Sequence, residues 1–156
     1  MEEIILTEKN LIQFLSEHSL NPLFEKESNL PYILIKIYQN ELPLFFSIRN
    51  NGEVLQLIIY LPYKIIKTHL NDTSRLLHIL NKDLDLPGFN LDEDEGLIFY
   101  RLVMPCIDKK LNTKILIAYI NSIQLVCDSF SQAIGLVASG QMDIETLKNM
   151  DLPKNK

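Results

Sequence analysis

Four consecutive acidic residues, Asp92-Glu93-Asp94-Glu95, are the part of the sequence that comes nearest to a metal site. Closely spaced carboxylates can bind a hard cation such as Ca²⁺ through their oxygens. An EF-hand loop is excluded because, counting from Asp92, glycine comes at the fifth position instead of the sixth, and Val103 stands where a bidentate glutamate is needed. We therefore interpret the run as the solvated tip of a hairpin and assign no metal site to it.

The histidine and cysteine residues are not spaced for metal binding or for catalysis. His18, His69 and His78 form no HxxxH or HExxH pattern, and Cys106 and Cys127 form no CxxC pair. The sequence also has no GxSxG, Walker A or GxGxxG segment. Catalysis by residues that share no local motif stays open. We nevertheless expect a protein that is not an enzyme, binds no cofactor and holds both cysteines as buried structural thiols.

Composition and charge narrow the class of protein. The 156 residues are 47% hydrophobic and 22% charged, which is typical of a globular domain. We expect one domain at 1–150, followed by a frayed tail at 151–156. The net charge of −5, without a basic cluster, argues against nucleic acid as a partner. No signal peptide is recognisable, and no apolar run reaches the roughly 18 residues of a membrane span, so we expect a cytoplasmic protein without a membrane partner.

The extended runs predict the strands of a sheet. Asn51-Gly52 between two apolar runs is a strong hairpin signal, because both residues tolerate positive φ. A polar turn is expected at 39–41. The predicted strands are 32–38, 44–48, 54–61, 89–91 and 97–104. Together with the helices, they predict an α+β fold with an antiparallel five-stranded sheet in the order helix-βββ-helix-ββ-helix.

Three helices are expected from apolar residues at helical spacing. Thr7 is the predicted N-cap of the first helix, and the second helix should run from Asn71 or Asp72 to about Leu84. Asn112 can cap a long final helix that ends before Gly140, a residue suited to the position after a helix C-terminus.

The final helix carries a thin second apolar stripe opposite its wide core face. At 100° per residue, Leu125 and Leu136 lie close to Ala118 on the otherwise polar half of the helix. Single exposed leucines are common on monomers, so the stripe is compatible with an ordinary surface as well as with a contact. We include Leu125 and Leu136 among the candidate partner-binding residues.

Both faces of the predicted sheet are apolar. Successive side chains of a strand point to opposite faces, so Ile33, Ile35 and Ile37 share one face, which we expect to be the core. The second face would be polar if it met only water, yet its residues are largely apolar or aromatic. Large exposed apolar patches on soluble proteins usually mark interaction sites. The candidate partner-binding residues on this second face are Tyr32, Leu34, Phe45, Ile58 and Tyr60.

The element order resembles that of the YbjN family and, through a shared fold, of the class I type III secretion chaperones. The likeness lies in the acidic turn from Phe89 to Gly96, the strand 97–104 with Arg101 inside it, and the amphipathic helix 112–140, and it spans residues 7–147. The resemblance to the chaperones implies a homodimer that holds the unfolded N-terminal segment of a secreted protein against apolar patches. YbjN-like relatives include proteins with no settled activity. This chain departs from typical chaperones in its long apolar strands and its lack of glycine-rich segments.

Two main hypotheses follow. The first is a non-catalytic protein-binding module of chaperone type, in which an extended client lies across the second face or adds a strand to a free edge, with Lys36 and Arg101 available to acidic groups. The alternative is a structural or regulatory protein in which the second helix or the loop 63–70 covers that face. A third possibility is a metal-dependent or small-molecule activity near 92–95.

Overall fold

A six-stranded antiparallel sheet is the centre of the protein, and the computed structural model describes residues 2–150. The strands in chain order are β1 (Glu3–Ile5), β2 (Leu23–Phe24), β3 (Pro31–Ile37), β4 (Asn40–Arg49), β5 (Val54–Lys64), β6 (Phe89–Asp92), β7 (Leu97–Pro105) and β8 (Lys110–Asn112). The large sheet has the spatial order β2-β3-β4-β5-β7-β6, and β1 pairs with β8 in a separate two-stranded sheet.

Four helices complete the described chain: α1 (Glu8–Glu17), α2 (Leu70–Asp83), α3 (Thr113–Ala138) and α4 (Ile144–Lys148). The predicted N-caps are confirmed, because Thr7 Oγ1 accepts the N–H of Asn10 at 3.2 Å and Asn112 Oδ1 accepts the N–H of Ile115 at 3.0 Å. Gly140 follows α3 with a φ of +76°, as expected of a residue that ends a helix. No helix within residues 2–150 is long and apolar enough to cross a bilayer. The predicted tail at 151–156 lies outside the described residues.

The α+β class is confirmed, but the predicted count of five strands is wrong. The additional strand, β2, has only two residues and pairs with the start of β3. The sheet of β1 and β8 was also not predicted. Strands of two or three residues contain too few positions to show an alternating pattern, so their pairing depends on contacts that the local sequence does not reveal.

The hairpin at Asn51-Gly52 is confirmed, although its turn is longer than two residues. Arg49 pairs with Val54, and Asn50, Asn51 and Gly52 have φ of 50°, 54° and 91°. Asparagine and glycine are the residues that occupy this left-handed region at least cost.

The preceding turn lies one residue earlier than predicted. Ile37 pairs with Asn40, so the turn consists of Tyr38 and Gln39, and Tyr38 has a φ of 54°. A carboxylate oxygen of Asp128 on α3 accepts the N–H of Tyr38 at 2.5 Å. The long helix therefore stabilises a turn whose sequence alone does not favour positive φ.

The hydrophobic core lies between the large sheet and the helices. The second helix and the residue that follows it carry an apolar stripe whose members are all buried: Leu76, Leu77, Leu80 and Leu84. The core face of the sheet is buried at the centre of every long strand, as predicted from the alternation. Its most enclosed side chains include Ile33, Ile37, Leu44, Phe46, Leu55, Leu57, Ile59, Ile98 and Tyr100.

Helix side chains bind main-chain groups at both outer edges of the large sheet. On one edge, the carboxamide of Asn81 in α2 accepts the N–H of Phe89 at 3.0 Å and donates to its carbonyl at 2.8 Å. On the other, Gln124 of α3 donates to the carbonyl of Lys36 at 3.1 Å, close to the bond between Asp128 and Tyr38. Side chains of the helices thus satisfy some of the main-chain hydrogen-bonding groups at the two edges.

Candidate functional site

The side of the large sheet that faces away from α3, here called the outer face, contains one continuous row of paired residues. Cross-strand pairing places the members of the row side by side, because directly paired residues share a face. From β2 to β7 the row consists of Leu23, Tyr32, Phe45, Ile58 and Arg101. The ring centroids of Tyr32 and Phe45 are 5.4 Å apart.

A second aromatic pair lies next to this row. Tyr60 of β5 pairs with Phe99 of β7, and their ring centroids are 5.7 Å apart. Leu34 of β3 pairs with Pro43 of β4 on the same face. The structure therefore brings together five of the seven predicted partner-binding residues: Tyr32, Leu34, Phe45, Ile58 and Tyr60.

Exposure distinguishes the outer face from the core face within single strands. In β5, Leu57 and Ile59 are 0% exposed, whereas Ile58 between them is half-buried and Tyr60 is 41% exposed. In β3, Leu34 is 47% exposed, although its neighbours on either side are buried. Within residues 2–150, no helix or loop therefore encloses the outer face.

The end of β5 and the loop that follows it pack on α3 and not on the outer face. The ring of Tyr63 lies against Gly135, where an added Cβ would approach the ring to 2.7 Å, and its hydroxyl is 3.0 Å from Ser131 Oγ. The N–H of Ile66 donates to the carbonyl of Ala138 at 3.2 Å. One part of the alternative hypothesis, the covering of the second face by the loop 63–70 or by α2, is therefore not found, because the leucine stripe of α2 is also in the core.

Two arginines of the outer face approach the same glutamine. Gln56 Oε1 accepts a hydrogen bond from Arg49 at 3.1 Å and a longer one from Arg101 at 3.5 Å. The three residues belong to adjacent strands, β4, β5 and β7. Neither guanidinium forms an ion pair with a carboxylate of the described chain. Because each has five N–H donors, both retain donors for a further acceptor.

The structure separates the two candidate residues on α3. Leu125 is 62% exposed and shares a shallow cavity with Lys36 and Tyr38 at the end of β3, so it lies beside the edge of the large sheet. Leu136 is half-buried and lies about 16 Å further along the helix at 1.5 Å per residue. The two leucines therefore do not join the outer face as one patch.

Sequence reasoning did not find three contributors to the candidate site. Leu23 lies in a strand too short to predict, and Arg49 was not assigned to the second face. Phe99 lies within the predicted strand 97–104, where alternation puts it on the side opposite Tyr100, but its contact with Tyr60 depends on the pairing of β5 with β7. The alternation signal was present for Phe99, whereas the pairing of distant strands has no local signal.

The acidic turn is held by its first carboxylate. Asp92 Oδ1 accepts the N–H groups of Asp94 and Glu95, both at 3.0 Å, and Gly96 closes the turn with a φ of +67°. In the part of the chain that the structure describes, no group of three or more histidine, cysteine, aspartate or glutamate side chains is arranged to hold a metal ion.

Both cysteines are buried and free, as predicted. Burial raises the pKa of the Cys127 thiol and also that of Cys106, because a thiolate loses its hydration in the core. A thiol that stays protonated is a weak nucleophile. We therefore assign neither cysteine to a reactive site.

Comparisons with known proteins agree with the predicted family. The model of the YbjN family, described as "Putative bacterial sensory transduction regulator", matches residues 7–136. The crystal structure of YbjN from E. coli, titled "a putative transcription regulator", superimposes with a TM-score of 0.62 at 5% identity, covering 88% of this chain and 94% of that one. The search of curated proteins gives no match. Because the family model covers most of its length, the chain belongs to the YbjN family.

Proposed function

We propose that this protein is a non-catalytic regulator that acts by binding another protein on its outer face. The observation that carries the proposal is a set of apolar and aromatic side chains that stay partly or largely exposed, such as Leu34 at 47% and Tyr60 at 41%, on a sheet whose other face is enclosed. Soluble proteins usually expose such patches where a partner binds. The description of the YbjN family as a sensory regulator supports the regulatory role.

The outer face has the composition of an interaction surface. It combines two aromatic pairs, Tyr32 with Phe45 and Tyr60 with Phe99, with aliphatic side chains. Burying the remaining area of a half-exposed large side chain contributes about 1 kcal/mol. Tyrosine and arginine, which both occur on this face, are enriched among the residues that dominate binding energy at interfaces.

Binding across the face is favoured over addition of a strand at an edge. At the β3 edge, β2 pairs with Pro31 and Tyr32, and Gln124 and Asp128 bind the main chain of Lys36 and Tyr38. Only residues 33–35 lie between, about 10 Å of strand. An added strand would need a longer free edge to form a ladder.

A client-holding role of chaperone type is a second candidate, because the same exposed face would serve it. The two roles differ in the partner: a chaperone holds an unfolded segment, whereas a regulator can bind a folded protein. The homodimer implied by the resemblance to the secretion chaperones would leave the outer face free if it formed through Leu125 of α3. Light scattering of the wild type and of Leu125→Asp at micromolar concentration tests that dimer.

The main experiment compares what binds to the wild type and to a variant of the outer face in the native host. Tagged wild type, Phe45→Asp and Tyr60→Asp are crosslinked in cells, purified and analysed by mass spectrometry. We expect one or more proteins to be enriched with the wild type and lost with both variants, because a carboxylate among the apolar side chains of the outer face is desolvated on binding.

The matched control is Ile107→Asp, which places the same charge at an exposed hydrophobic residue outside the large sheet, where Ile107 is 79% exposed. It should retain the partner. Equal enrichment with Phe45→Asp and the wild type, in a variant whose melting temperature shows an intact fold, would contradict the proposal. A captured partner is then refolded and tested for binding again. A partner of a regulator should still bind after refolding, whereas a client of a chaperone should not, because a chaperone holds an unfolded segment.

A further inference from the structure

The charge of the outer face differs in sign from the charge of the whole chain. The chain has a net charge of −5. On the outer face, by contrast, cations outnumber the two acidic residues, Glu41 and Asp92, and the Asp92 carboxylate is already bound to its own turn. The cations are Lys36, which lies opposite Glu41, Arg49, Arg101, and Lys64, which lies opposite Leu97 beyond a bulge in β5.

The two arginines are arranged to receive a carboxylate. Both guanidinium groups lie within hydrogen-bond distance of the same oxygen of Gln56. A neutral amide oxygen leaves their charges without compensation, whereas guanidinium and carboxylate can form paired, charge-assisted hydrogen bonds. Ile58, which pairs directly with Arg101, continues the apolar row away from this point. A site that can bind a carboxylate and a site that can bind apolar side chains are therefore adjacent on the outer face.

We propose that the partner presents an acidic segment with apolar side chains, whose carboxylate binds Arg49 and Arg101 while its apolar residues lie on Phe45 and Ile58. This inference rests on the proposed function, because it specifies the chemistry of the partner on the same face. The net negative charge of the chain does not prevent such binding, since charges farther away than about 10 Å are largely screened at 0.1 M salt.

A second copy of the chain fits this face less well than an acidic partner. A symmetric contact brings the same face from both copies, so each would meet the other's cations with only Glu41 free to compensate. Single-stranded nucleic acid also combines negative charge with stacking on aromatic rings. The centre of this face is partly aliphatic, however, with Leu34, Ile58 and Val103 beside the rings, and aliphatic side chains offer bases no stacking surface.

The test uses three soluble fluorescent peptides of about ten residues, enough to cross the sheet. They contain the same leucine and phenylalanine residues and differ only in carrying glutamate, lysine or glutamine between them. Binding to the full chain is measured by fluorescence anisotropy at two salt concentrations. We expect the glutamate peptide to bind at least about tenfold more tightly than the lysine peptide, with an affinity that falls as salt rises.

The variant Arg49→Glu/Arg101→Glu should reverse this preference, so that the lysine peptide binds more tightly. The matched control, Lys9→Glu/Lys82→Glu, changes the net charge equally at exposed positions on α1 and α2 and should keep the preference of the wild type.

Three results would overturn the inference. One is equal binding of the glutamate and lysine peptides. A second is tighter binding of a thymidine oligonucleotide than of the glutamate peptide. A third is a dimer that is lost in Phe45→Ser and unaffected by Arg49→Glu/Arg101→Glu. If Phe45→Ser still weakens all three peptides equally, only the charge preference fails. If Phe45→Ser changes none of them, the proposed use of this face fails as well.

Discussion

The two faces of the large sheet are built from similar residues and differ in what lies against them. In β5, the residues alternate Leu57, Ile58, Ile59, Tyr60, and every second one is enclosed by the helices. Isoleucine occurs on both faces of the strand in different surroundings: Ile59 is 0% exposed in the core, whereas Ile58 is only half-buried. Hydrophobicity alone thus does not assign a side chain to the core, since the position of the helices decides it.

The largest effect should come from shortening a side chain on the core face. Leu57→Ala removes atoms from a fully enclosed site and leaves a cavity, so we expect a loss of about 2–5 kcal/mol in the free energy of unfolding. The matched change on the outer face, Ile58→Ala, should cost under about 1 kcal/mol, because water already reaches the side chain. Urea unfolding followed by circular dichroism measures both. Equal losses would show that the outer face is enclosed in solution.

A smaller effect is expected from a single hydroxyl. Tyr100 lies on the core face and its hydroxyl donates to the carbonyl of Leu86, so Tyr100→Phe should cost about 1–3 kcal/mol. Tyr60→Phe on the outer face should change stability by less than about 0.5 kcal/mol, as for most surface substitutions. The melting temperatures of the two variants check this contrast, and a larger shift for Tyr60→Phe would contradict it.

The raised pKa of Tyr100 predicts that the stability of the fold decreases at alkaline pH. Burial raises the pKa of Tyr100 above its ordinary value of 10.0, mainly because the phenolate would lose its hydration. The folded protein therefore keeps a proton that the unfolded chain releases, so its contribution is complete below about pH 10 and stability falls as the pH rises above that value. Urea unfolding between about pH 9 and pH 11.5 should show a steeper fall for the wild type than for Tyr100→Phe. Parallel slopes would argue against this assignment.

The smallest effect is expected for Gln56 on the outer face. Gln56→Ala removes the oxygen shared by Arg49 and Arg101, yet all of these groups have access to water, so stability should change by no more than about 0.5 kcal/mol. Binding of the glutamate peptide should persist, because its carboxylate takes the place of the amide oxygen. A loss of more than about 2 kcal/mol, measured by urea unfolding, would instead make this cluster part of the fold.

The sequence predicted those elements that are stabilised by residues close to one another in the chain. Thr7 and Asn112 are N-caps because their side-chain oxygens reach N–H groups three residues ahead, and Gly140 ends α3 because it accepts positive φ. Strict alternation also placed Tyr32, Phe45 and Ile58 on one face before their pairing was known. These features depend on residues within a few positions of one another, which is why a single sequence contains them.

The remaining features depend on residues far apart in the chain. Glu3 pairs with Asn112, and Arg101 reaches Gln56 across 45 positions, so neither contact has a local signal. The turn at Tyr38 was placed too late because its positive φ is stabilised by Asp128 of α3, not by the turn residues themselves. Whether the outer face would be covered depended on where the end of β5 and the following loop pack, and the contact of Tyr63 with Gly135 of α3 is between residues far apart in the chain.

The helix side chains at the two sheet edges also bear on how the protein behaves at high concentration. An apolar sheet with free main-chain groups at its edges tends to recruit further copies and grow into fibrils. Asn81 occupies the main chain of Phe89, and Gln124 and Asp128 occupy that of Lys36 and Tyr38, so a strand from another copy finds few unpaired groups. We therefore expect growth through these edges to be disfavoured, although the sheet keeps an exposed apolar face.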